Sequence, residues 1–411
     1  MCEDEYLFFY QTPATQLQHT SSFPDLDSKE CKTVISIPKE QIHHKPHLGE
    51  TELPRKFTYA KAGVDREMRI ESKKALQCLK ETYKYSPYGE VIRLPYGNVF
   101  PMGKGRYLDL QIEGVGTKVL VAQLANKYDS IGIDGVAMVV NDVIRSGARP
   151  LAIADNIHAQ VSDPDLVKEW MAGLVKGATE AGCIVPNGEI GDVPELIKGL
   201  VEGKGFDMVV ASIGEVNSER LITGKDVKKG DSIVGLQSSG LHSNGMSLAR
   251  KILLKQWGGK YEPHDTPEKL KREIIHEVLE PTRIYVKPLL RLLEEVEVKA
   301  AVHITGEGYA KFDRLRKFSK GIGFEFHNFK PQPVFELVQE TASDLGGTIT
   351  DEEMFRTFNM GWGFAVIVDR AEKDKTISLL ERAGVHAEQI GQVTSSAGIK
   401  ILYKKTKIVL K

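Results

Sequence analysis

Leu108-Asp-Leu-Gln-Ile-Glu113-Gly-Val-Gly-Thr-Lys118, followed by Ile133-Asp134-Gly-Val-Ala-Met-Val-Val-Asn141-Asp142, is the stretch around which the chain is organised. Leu108, Leu110 and Ile112 alternate with Asp109, Gln111 and Glu113, the period of a half-buried strand that ends in an acid. Glycines at 114 and 116 make a loop, and Val119 to Lys127 reads as a helix. A strand, a small-residue loop and a helix N-terminus expose backbone N–H groups that suit a phosphate, and Lys118 adds positive charge. Glu113, Asp134 and Asp142 are hard oxygen ligands of the kind Mg²⁺ takes alongside a nucleotide's phosphates. Asp134, Ala137, Met138 and Asn141 fall on one side of a helix, so Asp134 and Asn141 face one site. By itself the loop also reads as a tight turn with solvated acids. It lacks the spacing of a Walker loop and is not Gly-x-Gly-x-x-Gly.

Composition narrows the classes. The chain has 411 residues, enough for two or three domains. Lys and Arg total 55 against 56 Asp and Glu, a net charge of −1 with no global drive towards nucleic acid or an anionic membrane. No apolar run approaches the ~18 residues of a membrane span. The start, Met-Cys-Glu-Asp-Glu-Tyr, lacks the basic region of a signal peptide. Cys2, Cys31, Cys78 and Cys183 are scattered and read as free thiols of a reducing cytoplasm.

Residues 1–56 read as an irregular, proline-rich leader with one short strand at Thr33–Ile37. His43, His44 and His47 there lack the Cys or acid pattern of a metal site. From Phe57 onward strands alternate with helices, so the class is α/β or α+β. Arg66–Tyr83 is expected as an amphipathic helix, and Pro164–Ala181 as another with Leu166, Trp170, Leu174 and Ala178 inside. Pro186–Pro194 reads as a loop, and Phe206–Val216 as a strand buried on both faces. Leu221–Gly230 reads as a boundary between domains 57–220 and 221–411. A second glycine/serine loop, Gln237-Ser238-Ser239-Gly-Leu-His242-Ser243-Asn244-Gly245, again joins a strand to a helix and is built to hold an anion. Glu268–Glu280 and Thr282–Glu295 read as helices, and Thr305-Gly306-Glu307-Gly308 as a third tight loop.

The order of these loops carries a resemblance. Tyr59-Ala-Lys61-Ala-Gly-Val-Asp65, Glu113–Lys118, Asp134–Asp142, Asn187-Gly-Glu189, Ser238–Gly245, Leu279-Glu-Pro-Thr-Arg-Ile-Tyr-Val-Lys287, His303-Ile-Thr-Gly306 and Met354-Phe-Arg-Thr-Phe-Asn-Met-Gly361 occur in one chain. Together they resemble the phosphoribosylformylglycinamidine cyclo-ligase (aminoimidazole ribonucleotide synthetase, PurM) family, over about Phe57 to Val393. The resemblance implies an N-terminal α/β domain whose sheet pairs into a barrel across a homodimer, and a C-terminal domain of ferredoxin-like character. It implies ATP-dependent ring closure of formylglycinamidine ribonucleotide in cytoplasmic purine biosynthesis, with Mg²⁺. By the same resemblance Lys61, Gly114, Val115, Gly116, Thr117, Lys118 and Asn141 hold the nucleotide. Glu113, Asp134 and Asp142 hold metal. Glu189, Ser238, Ser239, Ser243, Asn244, Gly245 and Thr305 meet the substrate. Lys118, Asp134 and His242 are the catalytic candidates.

Four positions depart from the family pattern. Glu113 stands for Asp, Ile190 for Thr after the Asn187-Gly-Glu189 turn, Glu307 for Gly, and Trp362 for a smaller residue. They leave open a different acceptor within the same ATP-using superfamily, or a nucleotide-binding relative without catalysis.

Overall fold

The structure, a computed structural model, describes residues 55–410. The strand expected at Thr33–Ile37 and the histidines at 43, 44 and 47 lie outside the described residues. In chain order the body opens with β1 (Arg55–Lys56), α1 (Arg66–Ser72), β2 (Ile92–Leu94), β3 (Gly97–Pro101), β4 (Arg106–Gly114), α2 (Lys118–Ala125) and α3 (Asp129–Ile144). There follow β5 (Arg149–Ala159), α4 (Pro164–Ala181), β6 (Ile184–Asp192), β7 (Phe206–Asn217), β8 (Ser232–Gln237), α5 (Met246–Leu253), α6 (Ile274–Val278) and α7 (Val286–Leu293). The rest is β9 (Val298–His303), β10 (Gly323–Phe326), α8 (Pro333–Asp344), β11 (Gly347–Thr348), α9 (Asp351–Thr357), β12 (Trp362–Val368), α10 (Lys373–Arg382), β13 (Ala387–Thr394), β14 (Gly398–Tyr403) and β15 (Thr406–Leu410).

Two mixed sheets dominate. One runs β2-β3-β4-β7-β5-β6 and the other β15-β14-β10-β13-β8-β12-β9. The expected loop at Pro186–Pro194 is largely strand, because β6 pairs in parallel with β5. β7 is buried on alternate residues rather than on both faces. The alternation of β4 is real, but its sense is the reverse of the usual one. Asp109 is buried, whereas Leu110 and Ile112 are 58% and 67% exposed. Val209, Ala211 and Ile213 of β7 are half-buried, and Ile184 and Val185 of β6 are exposed. One face of this sheet is thus apolar and uncovered in the single chain.

The opposite face packs on α3, in which every residue from Ser130 to Ile144 is buried. A helix apolar all round belongs inside a core. α4 then crosses α3 at bare backbone. A Cβ on Gly173 would lie 1.9 Å from the Asp129 carbonyl oxygen, so only glycine permits the approach. The spacing expected of α4 holds: Leu166, Trp170, Leu174 and Ala178 are all buried.

Asp163 caps α4, its Oδ1 accepting from the N–H groups of Asp165 (2.9 Å) and Leu166 (3.4 Å), with Pro164 at the first helical position. Those bonds hold the Asp163 carboxyl below its ordinary range. The capping stabilisation is therefore complete above the unfolded carboxylate value, about pH 4, and is lost as the pH falls through the lower folded value. Asp163→Ala should lower Tm at pH 7 and converge on the parent in acid, once the pH is below the lowered folded value.

Two expected helices are shorter than their patterns. Of Glu268–Glu280 only Ile274–Val278 is helical, and the second begins at Val286 rather than Thr282. Arg66–Tyr83 is α1 followed by a 3₁₀ helix at Lys73–Tyr85, with no residue buried in either. The third loop runs into a 3₁₀ segment, Gly308–Lys317.

Candidate functional site

The three glycine-containing loops converge. Gly114–Thr117 leads from β4 into α2, and no side chain caps that helix. Ser238–Gly245 leads from β8 into α5, which is also uncapped. Two uncapped N-termini leave amide donors for anions. They are joined directly, since Thr117 Oγ1 lies 3.0 Å from Ser247 Oγ. Gly245 is required by shape: its φ is +79°, and a Cβ would meet the Phe358 ring at 2.4 Å. The third loop abuts the second, because a Cβ on Gly306 would lie 3.2 Å from Asn244 Oδ1. Lys61 lies exposed on the segment that leads to α1. That segment is tied down by Lys251, which donates to the Ala62 carbonyl (3.0 Å), and by Arg66, which pairs with Glu353 (3.2 Å).

α3 does present Asp134 and Asn141 together, but to protein. Lys118 is fully buried; its ammonium pairs with Asp134 Oδ2 (2.7 Å) and donates to the Glu280 carbonyl (2.6 Å). Asp134 Oδ1 accepts from both the N–H (2.8 Å) and the hydroxyl (2.6 Å) of Thr282. Asn141 donates to the Arg283 carbonyl (2.8 Å) and accepts from the Tyr285 N–H (2.8 Å). These bonds hold Thr282–Tyr285 out of the helix its pattern suggested. Ser239 donates to the Pro281 carbonyl (2.5 Å), and Ser243 lies 3.2 Å from the Thr282 hydroxyl. The Pro-Thr-Arg stretch is therefore a latch between the start of α2, after the first loop, and the second loop.

The acids do not form the expected ligand set. Asp142 is occupied by Arg145 (2.8 Å) and by His303 Nδ1 (2.7 Å). Burial opposes its ionisation, but Arg145 and His303 hold the carboxyl well below the ordinary range. Glu113 shares the inner face of β4 with Asp109, and its carboxylate makes no hydrogen bond or ion pair among the described residues. Burial, then the Asp142 charge, push its carboxyl up. Among the described residues no group of three or more His, Cys, Asp or Glu side chains is arranged to hold a metal ion. A cation carried in on nucleotide phosphates needs only one or two protein carboxylates, however, and Glu113 offers a free one.

His242 is a buried, neutral ring. Its Nε2 accepts from the Ser239 N–H (3.1 Å), its Nδ1 is buried without a partner, and its φ is +62°. Burial, then His303, Lys118 and Arg283, drive its pKa well below the usual imidazole value. Ser238 is held by Gln332, which donates to its carbonyl (2.7 Å). Thr305 accepts from Lys311. Glu189 is exposed on β6 opposite Asn156, bonded to none of the other candidates.

Three of the four departures are absorbed by the fold. Glu307 pairs with Arg314; burial opposes its ionisation, but that guanidinium keeps it ionised below the ordinary range. Trp362 is buried and lies against the His386 ring (5.9 Å). Ile190 packs against the core. Of the four, Glu113 is the one whose carboxylate has no ion-pair partner among the described residues. Arg145, His303, Thr282 and Lys311 carry no role in the sequence reading; Thr282 and His303 stand within the motifs quoted above, and Arg145 falls three residues after Asp142 on one helix face.

Comparison with known proteins defines the class first. "AIR synthase related protein, N-terminal domain" matches residues 96–216 and "AIR synthase related protein, C-terminal domain" matches 228–404. Phosphoribosylformylglycinamidine cyclo-ligase of Pyrococcus horikoshii is 39% identical over 329 residues, 79% of this chain and 92% of that protein. The same enzyme of Methanopyrus kandleri is 42% identical over 348 residues, 84% of this chain and 96% of the relative. The chain belongs to the phosphoribosylformylglycinamidine cyclo-ligase family. Solved structures agree on the fold. A Thermus thermophilus protein, tt0281, aligns with a TM-score of 0.54 at 16% identity, covering 80% of this chain and 96% of that one. A hydrogenase maturation protein, HypE, in complex with ATP aligns at 0.52 and 17%, covering 76% and 86%.

Proposed function

We infer that the chain closes the imidazole ring of aminoimidazole ribonucleotide, using ATP and formylglycinamidine ribonucleotide. One observation carries the reading: two uncapped helix N-termini, at α2 and α5, abut through Thr117 and Ser247 at 3.0 Å. Two anionic groups can thus be held side by side, the polyphosphate at Gly114–Thr117 and the ribonucleotide phosphate at Ser238–Gly245. An amide oxygen is a poor leaving group. Transfer of the γ-phosphoryl group to the formyl oxygen corrects this; the amidine-side nitrogen then attacks the formyl carbon and gives up its proton, and phosphate leaves with that oxygen. Such transfer needs positioning and charge stabilisation more than covalent help from protein.

The chain's groups divide accordingly. Amides of the two loops bind and orient. The latch of Lys118, Asp134, Asn141 and Thr282 holds the loops at a fixed distance. Thr305 and Asn244 border the substrate side. His242, kept neutral by burial, accepts from and orients the Ser239 amide. Glu113 would be the protein carboxylate to hold a Mg²⁺ brought in with the nucleotide, which would supply positive charge against the phosphoryl oxygens.

The uncovered apolar face around Leu110, Ile112 and Ile184 fits burial in a homodimer. Domains at 57–220 and 221–411 follow the resemblance. No helix among the described residues is long and apolar enough to cross a membrane, and the setting proposed is the cytoplasm. Substrate labelled with ¹⁸O in the formyl group tests the route. The label should appear in inorganic phosphate, and label-free phosphate would rule out phosphorylation of that oxygen.

A further inference from the structure

Lys311 belongs to none of the loops above, yet it is only 6% exposed. Its ammonium donates to the His303 carbonyl (2.9 Å) and to the Thr305 hydroxyl (2.5 Å). His303 is gripped at its other end, where Nδ1 meets Asp142 at 2.7 Å. Tyr96 closes a third side. Lys311 Nζ stands 5.9 Å from its ring centre and the Arg145 guanidinium 5.4 Å from the same centre. The Tyr96 hydroxyl donates to the Lys311 carbonyl (3.3 Å). Asp142, Arg145, Tyr96 and Asp109 also line one small cavity of about 20 Å³, room for about one water. An ammonium buried this deeply is costly unless its bonds and its charge are used. Here two donors are spent on the loop that carries Thr305, and the charge lies among Asp142, Glu113, Arg145 and Arg314. Burial lowers the ammonium to about 8, with Asp142 working against it.

We propose that Lys311 is a positioning residue of this site, its buried ammonium fixing the Thr305 hydroxyl at the substrate. The proposal rests on the cyclo-ligase reading.

Lys311→Met and Thr305→Val should each raise KM for formylglycinamidine ribonucleotide about tenfold, with KM for ATP unchanged. Lys311→Gln, which keeps hydrogen-bonding capacity, serves should Met impair folding. The double variant should be no worse than either single change, because both break one interaction. Additive losses, or an unchanged KM in a folded Lys311→Met protein, overturn the positioning role. A parent that binds a non-hydrolysable ATP analogue but does not turn over the ribonucleotide sinks the cyclo-ligase reading alone.

Discussion

Asp134→Ala is expected to destabilise the chain by about 3–5 kcal/mol, the largest stability effect of any single change considered. The reason is the latch. Asp134 and Lys118 are both fully buried, at 2.7 Å from one another. Removing the carboxylate leaves an ammonium in the core with only the Glu280 carbonyl, and strips Thr282 of the acceptor for two hydrogen bonds. Lys118→Met should also destabilise, although it leaves Asp134 with its Thr282 donors. The double variant should lose less than the sum of the two, because a buried pair replaced by apolar groups is close to neutral. Denaturant titration of all four proteins measures this. Additive losses would mean that the pair is not one unit. Loss of turnover on changing Lys118 is accordingly expected to come with a looser fold, rather than from an intact fold missing one phosphate ligand.

Glu113→Gln is expected to do the reverse. Turnover should fall about 100-fold or more, since changes even behind a metal ligand cost about 10–100-fold. Stability should rise. Burial and Asp142 raise the Glu113 carboxyl, so its ionisation opposes folding at pH values above the unfolded carboxylate value. Glutamine removes that opposition. A residue whose neutralisation stabilises the fold while removing activity is one kept for function. A Glu113→Gln protein that melts higher and still turns over would exclude Glu113 from the chemistry. One that melts lower would show that the carboxylate is a structural partner after all.

Much of this was legible in the chain because it obeys simple periods. α4 announces itself by Leu166, Trp170, Leu174 and Ala178, and the common face of Asp134 and Asn141 follows from helical spacing alone. What that face meets was not legible. Thr282–Tyr285 carries a helical pattern and stays out of the helix only because α3 supplies side-chain partners across more than a hundred residues of sequence. The sense of β4 was hidden for a related reason. Alternation shows that a strand has two faces, but which is covered depends on what packs there, and here the acids turn inward towards α3. The contact at Gly173 is visible only once two helices touch. The departures at Glu307, Ile190 and Trp362 looked like alterations of a site. Arg314, the core and His386 absorb them locally, and local sequence does not reveal such pairing.

The central claim is ring closure, and one assay reaches it directly. Purified protein is given ATP, Mg²⁺ and formylglycinamidine ribonucleotide, and ADP and aminoimidazole ribonucleotide are followed together. The account predicts that both appear in equal amounts and that neither appears when the ribonucleotide is withheld. ADP without the imidazole product, or bound ATP with no product at all, would contradict it.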